Sequence, residues 1–221
     1  MAAKDGSSFR MSALPAIIIA QLLGIAAITL TLVWLLHLRE GVALDSGNSQ
    51  KLFNAHPLLM LLGLILCGGE AIMAYKTVPG TRRTKKFVHM LLHLLALAFG
   101  GLGLYAIFKF QRDLDDPDMR TLHSWLGMGT ICLYALQWVI AFFSFIFPGT
   151  TYSMRANMKP WHAFFGAVIF LMAICSAETG LVQKFIFVGR EGLLINFIGI
   201  TILLYGIFTI LSVILPRPYE N

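Results

Sequence analysis

The chain has 221 residues, 57% of them hydrophobic and 13% charged, with a mean hydropathy of +0.76 and a formal net charge of +6. About a quarter of a soluble domain is charged, so this composition excludes a soluble enzyme and points to an integral membrane protein. On such a chain a basic excess is first a matter of membrane topology, and no nucleic-acid partner is expected.

Crossing the hydrocarbon takes about 20 apolar residues per helix, and six runs qualify, roughly 13–36, 53–75, 87–110, 122–147, 161–182 and 193–215. The first is too long for a signal core and lacks a small-residue cleavage site, so no cleavable signal is expected. Pro57 and Pro160 fall in or just before first turns, where a missing N–H costs little. Cys67, Cys132 and Cys175 lie inside apolar runs and read as buried thiols, not as a disulfide framework. The connections are short, so neighbouring helices run antiparallel. The expected fold class is an all-α membrane protein of six transmembrane helices, with no room for a soluble domain.

Lys and Arg set the orientation. With the N-terminus inside, the inner segments hold Lys4, Arg10, Lys76, Arg82, Arg83, Lys85, Lys86, Arg155, Lys159 and Arg217. The outer loops hold Arg39, Lys51, Lys109, Arg112, Arg120, Lys184 and Arg190. Acids sharpen the contrast, because Asp113, Asp115, Asp116 and Asp118 crowd one outer loop while only Asp5 and Glu220 offset the inner cations. Both termini are therefore expected on the cytosolic side. The densest inner segment is the connection from Lys76 to Lys86, a cationic hairpin with no acid in it. It can hold an anion or contact anionic lipid.

Four of the six histidines occupy equivalent places. His56, His89, His123 and His162 each stand at or near the start of one of the four central runs. Alternation of helix direction puts His56 and His123 at one outer depth and His89 and His162 at one inner depth. A single such histidine is accounted for by an interfacial or hydrogen-bonded side chain. Four at matched depths on consecutive helices point to function, since ionisable groups inside a membrane are costly. Gly127 and Gly166 follow His123 and His162 by one turn on the same face, and Gly63 follows His56 by two. Missing side chains leave space for a flat macrocycle, although glycine also serves helix packing. Two imidazoles per iron fill both axial positions and suit electron transfer. Zinc fits less well, because neither pair has an evident third ligand. His93, one turn after His89, reads as a packing neighbour ahead of a ligand, and His37 as interfacial. Glu70 and Glu178 read as acids solvated at the interface or paired within the bundle.

Taken together, Phe53-Asn-Ala-His-Pro57, Ala71-Ile-Met-Ala-Tyr-Lys76, Thr121-Leu-His-Ser-Trp125 and Ser153-Met-Arg-Ala-Asn-Met-Lys-Pro-Trp-His162 resemble the recurring segments of the cytochrome b561 family. The resemblance covers almost the whole chain. It implies one domain over 1–221, a central four-helix bundle holding two b-type haems, a homodimer in membrane lipid, and electron transfer from cytosolic ascorbate. The pairing it implies, His56 with His123 and His89 with His162, is the one that depth alone suggests.

The same resemblance assigns further residues. Lys86 and Arg155 match cytosolic ascorbate-binding positions, and Lys76 and Arg82 match positions near the inner ascorbate and haem periphery. The turn from Asp118 through Arg120 to Thr121 matches the segment over the outer haem, and Gln183 another outer haem contact. Two departures bear on the outer face. Gln111 stands where relatives often place a histidine at the outer substrate site, and Arg120-Thr121 stands where many read Tyr-Ser. The short tail and the Gly-Thr-Arg-Arg hairpin are more similar to plant members. A vacuolar or other endomembrane location is expected over the plasma membrane, although no sequence feature fixes which membrane houses the chain.

The function implied is that of an ascorbate-dependent reductase acting on monodehydroascorbate or ferric chelates on the lumenal or apoplastic side. The alternative is a non-catalytic di-haem anchor subunit passing electrons between a quinone and a partner protein. A third reading, a proton-conducting channel or transporter, predicts no haem spectrum at all.

Overall fold

The computed structural model describes residues 12–185 and 191–216. Lys4, Asp5, Arg10, Arg190, Arg217 and Glu220, used above to set orientation, lie outside the described residues. Among the described residues, six helices are long and apolar enough to cross a membrane. They are α1 (Ala13–Leu38), α2 (Ser49–Thr77), α3 (Arg82–Asp113), α4 (Leu122–Ile146), α5 (Tyr152–Phe185) and α6 (Gly192–Ile214). Large apolar side chains such as Leu22, Ile25, Leu122, Val182 and Ile214 are exposed along them, as a lipid-facing surface requires.

α2 packs on α3, α3 on α4, α4 on α5, and α5 back on the middle of α2, which closes a four-helix bundle. α1 and α6 pair with each other and lie against α5 and α2. Small residues let these helices approach closely. A Cβ at Gly69 would fall 2.2 Å from the Tyr205 hydroxyl, and one at Gly24 3.2 Å from the same ring. Tyr205 thus wedges α6 against α1 and α2, and its hydroxyl donates to the Leu66 carbonyl at 3.3 Å.

The helices differ from the apolar runs in instructive ways. α3 begins at Arg82, five residues before its run, and α5 at Tyr152, nine before its run. Hydropathy marks where the hydrocarbon starts, whereas a helix continues into water as long as its residues favour it. The cationic hairpin is therefore mostly helix. Its loop is a short turn with Gly80 at φ +97°, and Thr81 caps α3 by accepting from the Thr84 N–H at 3.2 Å. Pro57 and Pro160 correspondingly sit inside α2 and α5, not in their first turns. Each leaves a carbonyl of the preceding turn without its usual N–H donor. The backbone widens to i→i+5 turns at Trp34–Leu38, Leu61–Cys67 and Phe142–Ile146. The cysteines also differ from the sequence reading: Cys132 and Cys175 are exposed and only Cys67 is partly buried. In lipid the outward face is as apolar as the interior, so an apolar run does not distinguish the two.

Candidate functional site

Each histidine pair meets across a diagonal of the bundle. His56 on α2 and His123 on α4 have ring centroids 6.0 Å apart at 83°. His89 on α3 and His162 on α5 have centroids 6.0 Å apart at 74°. Their backbone partners explain how the rings are held. Nδ1 of His56 lies 3.0 Å from the Gly103 carbonyl, Nδ1 of His123 2.9 Å from that of Ser176, and Nδ1 of His89 2.7 Å from that of Ala71. A carbonyl only accepts, so in each ring Nδ1 carries the proton and Nε2 is left with a lone pair. This is the usual arrangement behind a metal-bound imidazole. The His162 ring packs instead on Phe145 at 5.4 Å, and its carbonyl accepts from Gln137 Nε2 at 3.0 Å.

This donor set fits an iron ligated on both axial faces. Two metal–nitrogen bonds of about 2 Å, plus about 1 Å from each nitrogen to its ring centre, separate the centroids by about 6 Å. Of the glycines, Gly63 does not open the space anticipated from sequence. Its Cβ would fall 2.8 Å from the Ala96 carbonyl oxygen, so it serves α2–α3 packing. Gly127 and Gly166 face side chains across the α4–α5 contact, Ser176 Oγ at 3.1 Å and Gln137 Nε2 at 3.0 Å from an added Cβ. The glycine that sequence reasoning missed is Gly180, where a Cβ would stand 2.8 Å from Cε1 of His123. Gly180→Ala should therefore displace the His123 ring and lower haem content, while leaving helicity unchanged by circular dichroism. A variant with full haem content and an unaltered Soret band would show that the ring has room to give.

Around the His89–His162 pair the structure adds an aromatic and polar shell. Tyr75 lies 5.4 Å from the His89 ring, and His93 packs edge-on to it at 4.5 Å. His93 Nδ1 is 2.5 Å from the Tyr134 hydroxyl, so His93 is a hydrogen-bonded neighbour of the pair.

The cations near this end differ in what surrounds them. Lys86 Nζ donates to the Phe145 carbonyl at 3.1 Å, and the Phe145 ring touches His162, which brings this ammonium to the His89–His162 end. Arg155 stands two turns before His162 on α5, and its Nε is buried without a hydrogen-bond partner among the described residues. Lys76 donates to the Ser212, Val213 and Leu215 carbonyls, so it closes the C-terminal end of α6. Arg82 and Arg83 are exposed on the first turn of α3.

At the opposite end, Thr121 caps α4 by accepting from the Ser124 N–H at 3.2 Å, and Arg120 pairs with Asp116 on the surface. The backbone carbonyl of Gln111 ends α3 by accepting from the N–H groups of Leu114 and Asp116. Gln183 is exposed, and so is His37. Glu70 is paired, accepting from Gln21 Nε2 at 2.8 and 2.9 Å. Glu178 is half-buried and is not paired among the described residues; its Oε1 is buried with no hydrogen-bond partner there.

Comparison with known proteins gives a consistent picture. The family described as eukaryotic cytochrome b561 matches residues 55–188, a stretch that includes all four histidines. A probable ascorbate-specific transmembrane electron transporter of Oryza sativa subsp. japonica is 40% identical over 95% of this chain and 93% of its own length. A transmembrane ascorbate ferrireductase of Arabidopsis thaliana is 38% identical over 92% of this chain and 88% of its own. A transmembrane ascorbate-dependent reductase of Homo sapiens is 38% identical over 85% and 77%.

Proposed function

This chain belongs to the eukaryotic cytochrome b561 family, and on that premise we propose that it carries electrons from cytosolic ascorbate across a membrane to monodehydroascorbate or a ferric chelate. The observation that supports this best is the pair of imidazole couples, each with centroids 6.0 Å apart, on separate diagonals of one bundle. Haem b, bound once at each couple, would supply a one-electron carrier there. With a hydrocarbon core about 30 Å thick, two such centres divide a distance too long for one. His56 and His123 would hold the outer haem, and His89 and His162 the inner one.

The chain's own residues do the rest. Ascorbate is a monoanion at neutral pH, and its oxidation by one electron also releases a proton. Lys86 and Arg155 reach the inner face from different helices, and the unpartnered Nε of Arg155 is a donor ready for an anionic oxygen. Arg82, on the first turn of α3, adds to the positive field that draws the anion in. Lys76 holds α6 to the end of α2 and so fixes the rim of that surface. At the outer face Thr121, Arg120 and Gln183 would border the haem held at the His56–His123 couple. The protein works as a homodimer in lipid, with both termini cytosolic and a vacuolar or endomembrane location.

Ascorbate should reduce the purified chain without any partner protein, which separates a reductase from an anchor subunit. A haem spectrum that ascorbate leaves oxidised would overturn the assignment. Gln111 sets a narrower expectation. An amide does not shuttle protons as an imidazole does, so Gln111→His should speed electron exchange with outer monodehydroascorbate. An unchanged rate would make the position structural only.

A further inference from the structure

One cation at the His56–His123 end has no task in the scheme above. Lys184, near the end of α5, lays its ammonium 4.2 Å from the centroid of the Phe53 ring. It makes no hydrogen bond or ion pair among the described residues. Two helical relations fix its place. Gly180, one turn earlier on α5, is the residue against which the His123 ring lies. Phe53, one turn nearer the helix start on α2, precedes His56 by three residues, and its ring packs on Phe110 at 5.0 Å. The ammonium therefore stands one turn outward from both imidazoles, at the mouth of their end of the bundle.

Its charge is not cancelled there. The charged neighbours it feels are Arg39 and Glu191, and these neutralise each other, with Arg39 Nε 2.9 Å from Glu191 Oε2. The same Glu191 oxygen accepts from Trp34 Nε1 at 2.6 Å, so the carboxylate is already committed. A partly buried ammonium over an aromatic face is attracted by the ring but keeps its N–H donors available to an anion.

We propose that Lys184 is the cation that docks the anionic electron acceptor at the outer face. The proposal rests on electrons leaving at the His56–His123 end. The ligand class is a small soluble anion with oxygen or nitrogen acceptor atoms, such as monodehydroascorbate or a negatively charged ferric chelate. Lys184 concentrates and orients it. Phe53 and Phe110 give it a dry floor next to the imidazoles.

The test uses haem-loaded protein in vesicles with ascorbate trapped inside, comparing wild type, Lys184→Gln and Lys184→Arg. Two acceptors are added outside, anionic ferricyanide and cationic hexaammineruthenium(III). At low ionic strength Lys184→Gln should reduce ferricyanide about fivefold more slowly, the order expected from one partly exposed charge. The deficit should shrink as salt is raised. Reduction of the ruthenium cation should be unchanged or faster, and Lys184→Arg should restore the ferricyanide rate. Equal slowing with both acceptors would overturn the proposal. So would a shifted midpoint potential of one haem with an unaltered preference between acceptors, because Lys184 would then pair with a haem carboxylate. A ferricyanide rate in Lys184→Gln equal to that of wild type would also sink it. If wild type itself reduces neither acceptor, the transmembrane reading fails, an outcome distinct from all of these.

Discussion

His123→Ala should leave the purified protein with half of its haem, and His162→Ala should do the same by removing the other half. The two couples share no ligand, and their backbone anchors lie at different places. Gly103 and Ser176 hold one couple, and Ala71 holds His89 of the other. Truncating one imidazole removes a nitrogen donor from its couple, and in His123→Ala the Ser176 carbonyl keeps the Thr179 hydroxyl as a donor at 2.9 Å. Loss should therefore be local. Haem quantified per chain, with low-temperature spectra to resolve the two α-bands, separates the outcomes. Full haem in either variant would contradict the ligand assignment, and loss of both haems from one substitution would contradict the independence of the couples.

The second large effect concerns the cytosolic anion. Removing one partner of a charge-assisted contact costs about 1.5–3 kcal/mol, roughly ten- to a hundredfold in affinity. Lys86→Ala and Arg155→Ala should each slow haem reduction by ascorbate to that degree under subsaturating conditions. Haem content should be unchanged, since neither side chain is hydrogen-bonded to a histidine ring among the described residues. Dithionite, small and strongly reducing, should be much less affected. Lys4→Ala, a cation assigned to the same side by charge distribution, is the control. If it slows ascorbate reduction as much as Lys86→Ala does, the inner cations act only as a diffuse field and the anion binds elsewhere.

The six spans were legible because burying a backbone in lipid demands long apolar helices, and the histidine pairing was legible because helix alternation converts sequence position into depth. What stayed hidden has common physical causes. The early starts of α3 at Arg82 and α5 at Tyr152 lie outside the hydrocarbon, where hydropathy says nothing. The carbonyls of Gly103, Ala71 and Ser176 that orient the rings are backbone groups, and no residue type announces them. Gly180 matters through what touches it from α4, a tertiary fact. The α6 carbonyls that Lys76 caps are more than a hundred residues away in sequence, so that contact too is invisible before the chain folds. Cys132 and Cys175 were misread because inside a membrane hydrophobicity no longer separates core from surface.

The most direct measurement places ascorbate inside sealed vesicles carrying the purified, haem-loaded protein and ferricyanide outside. Bleaching of ferricyanide should follow, with a rate that depends on the trapped ascorbate, is absent from protein-free vesicles, and falls in Lys86→Ala. Haem that becomes reduced by the trapped ascorbate while external ferricyanide stays intact would contradict transmembrane electron transfer.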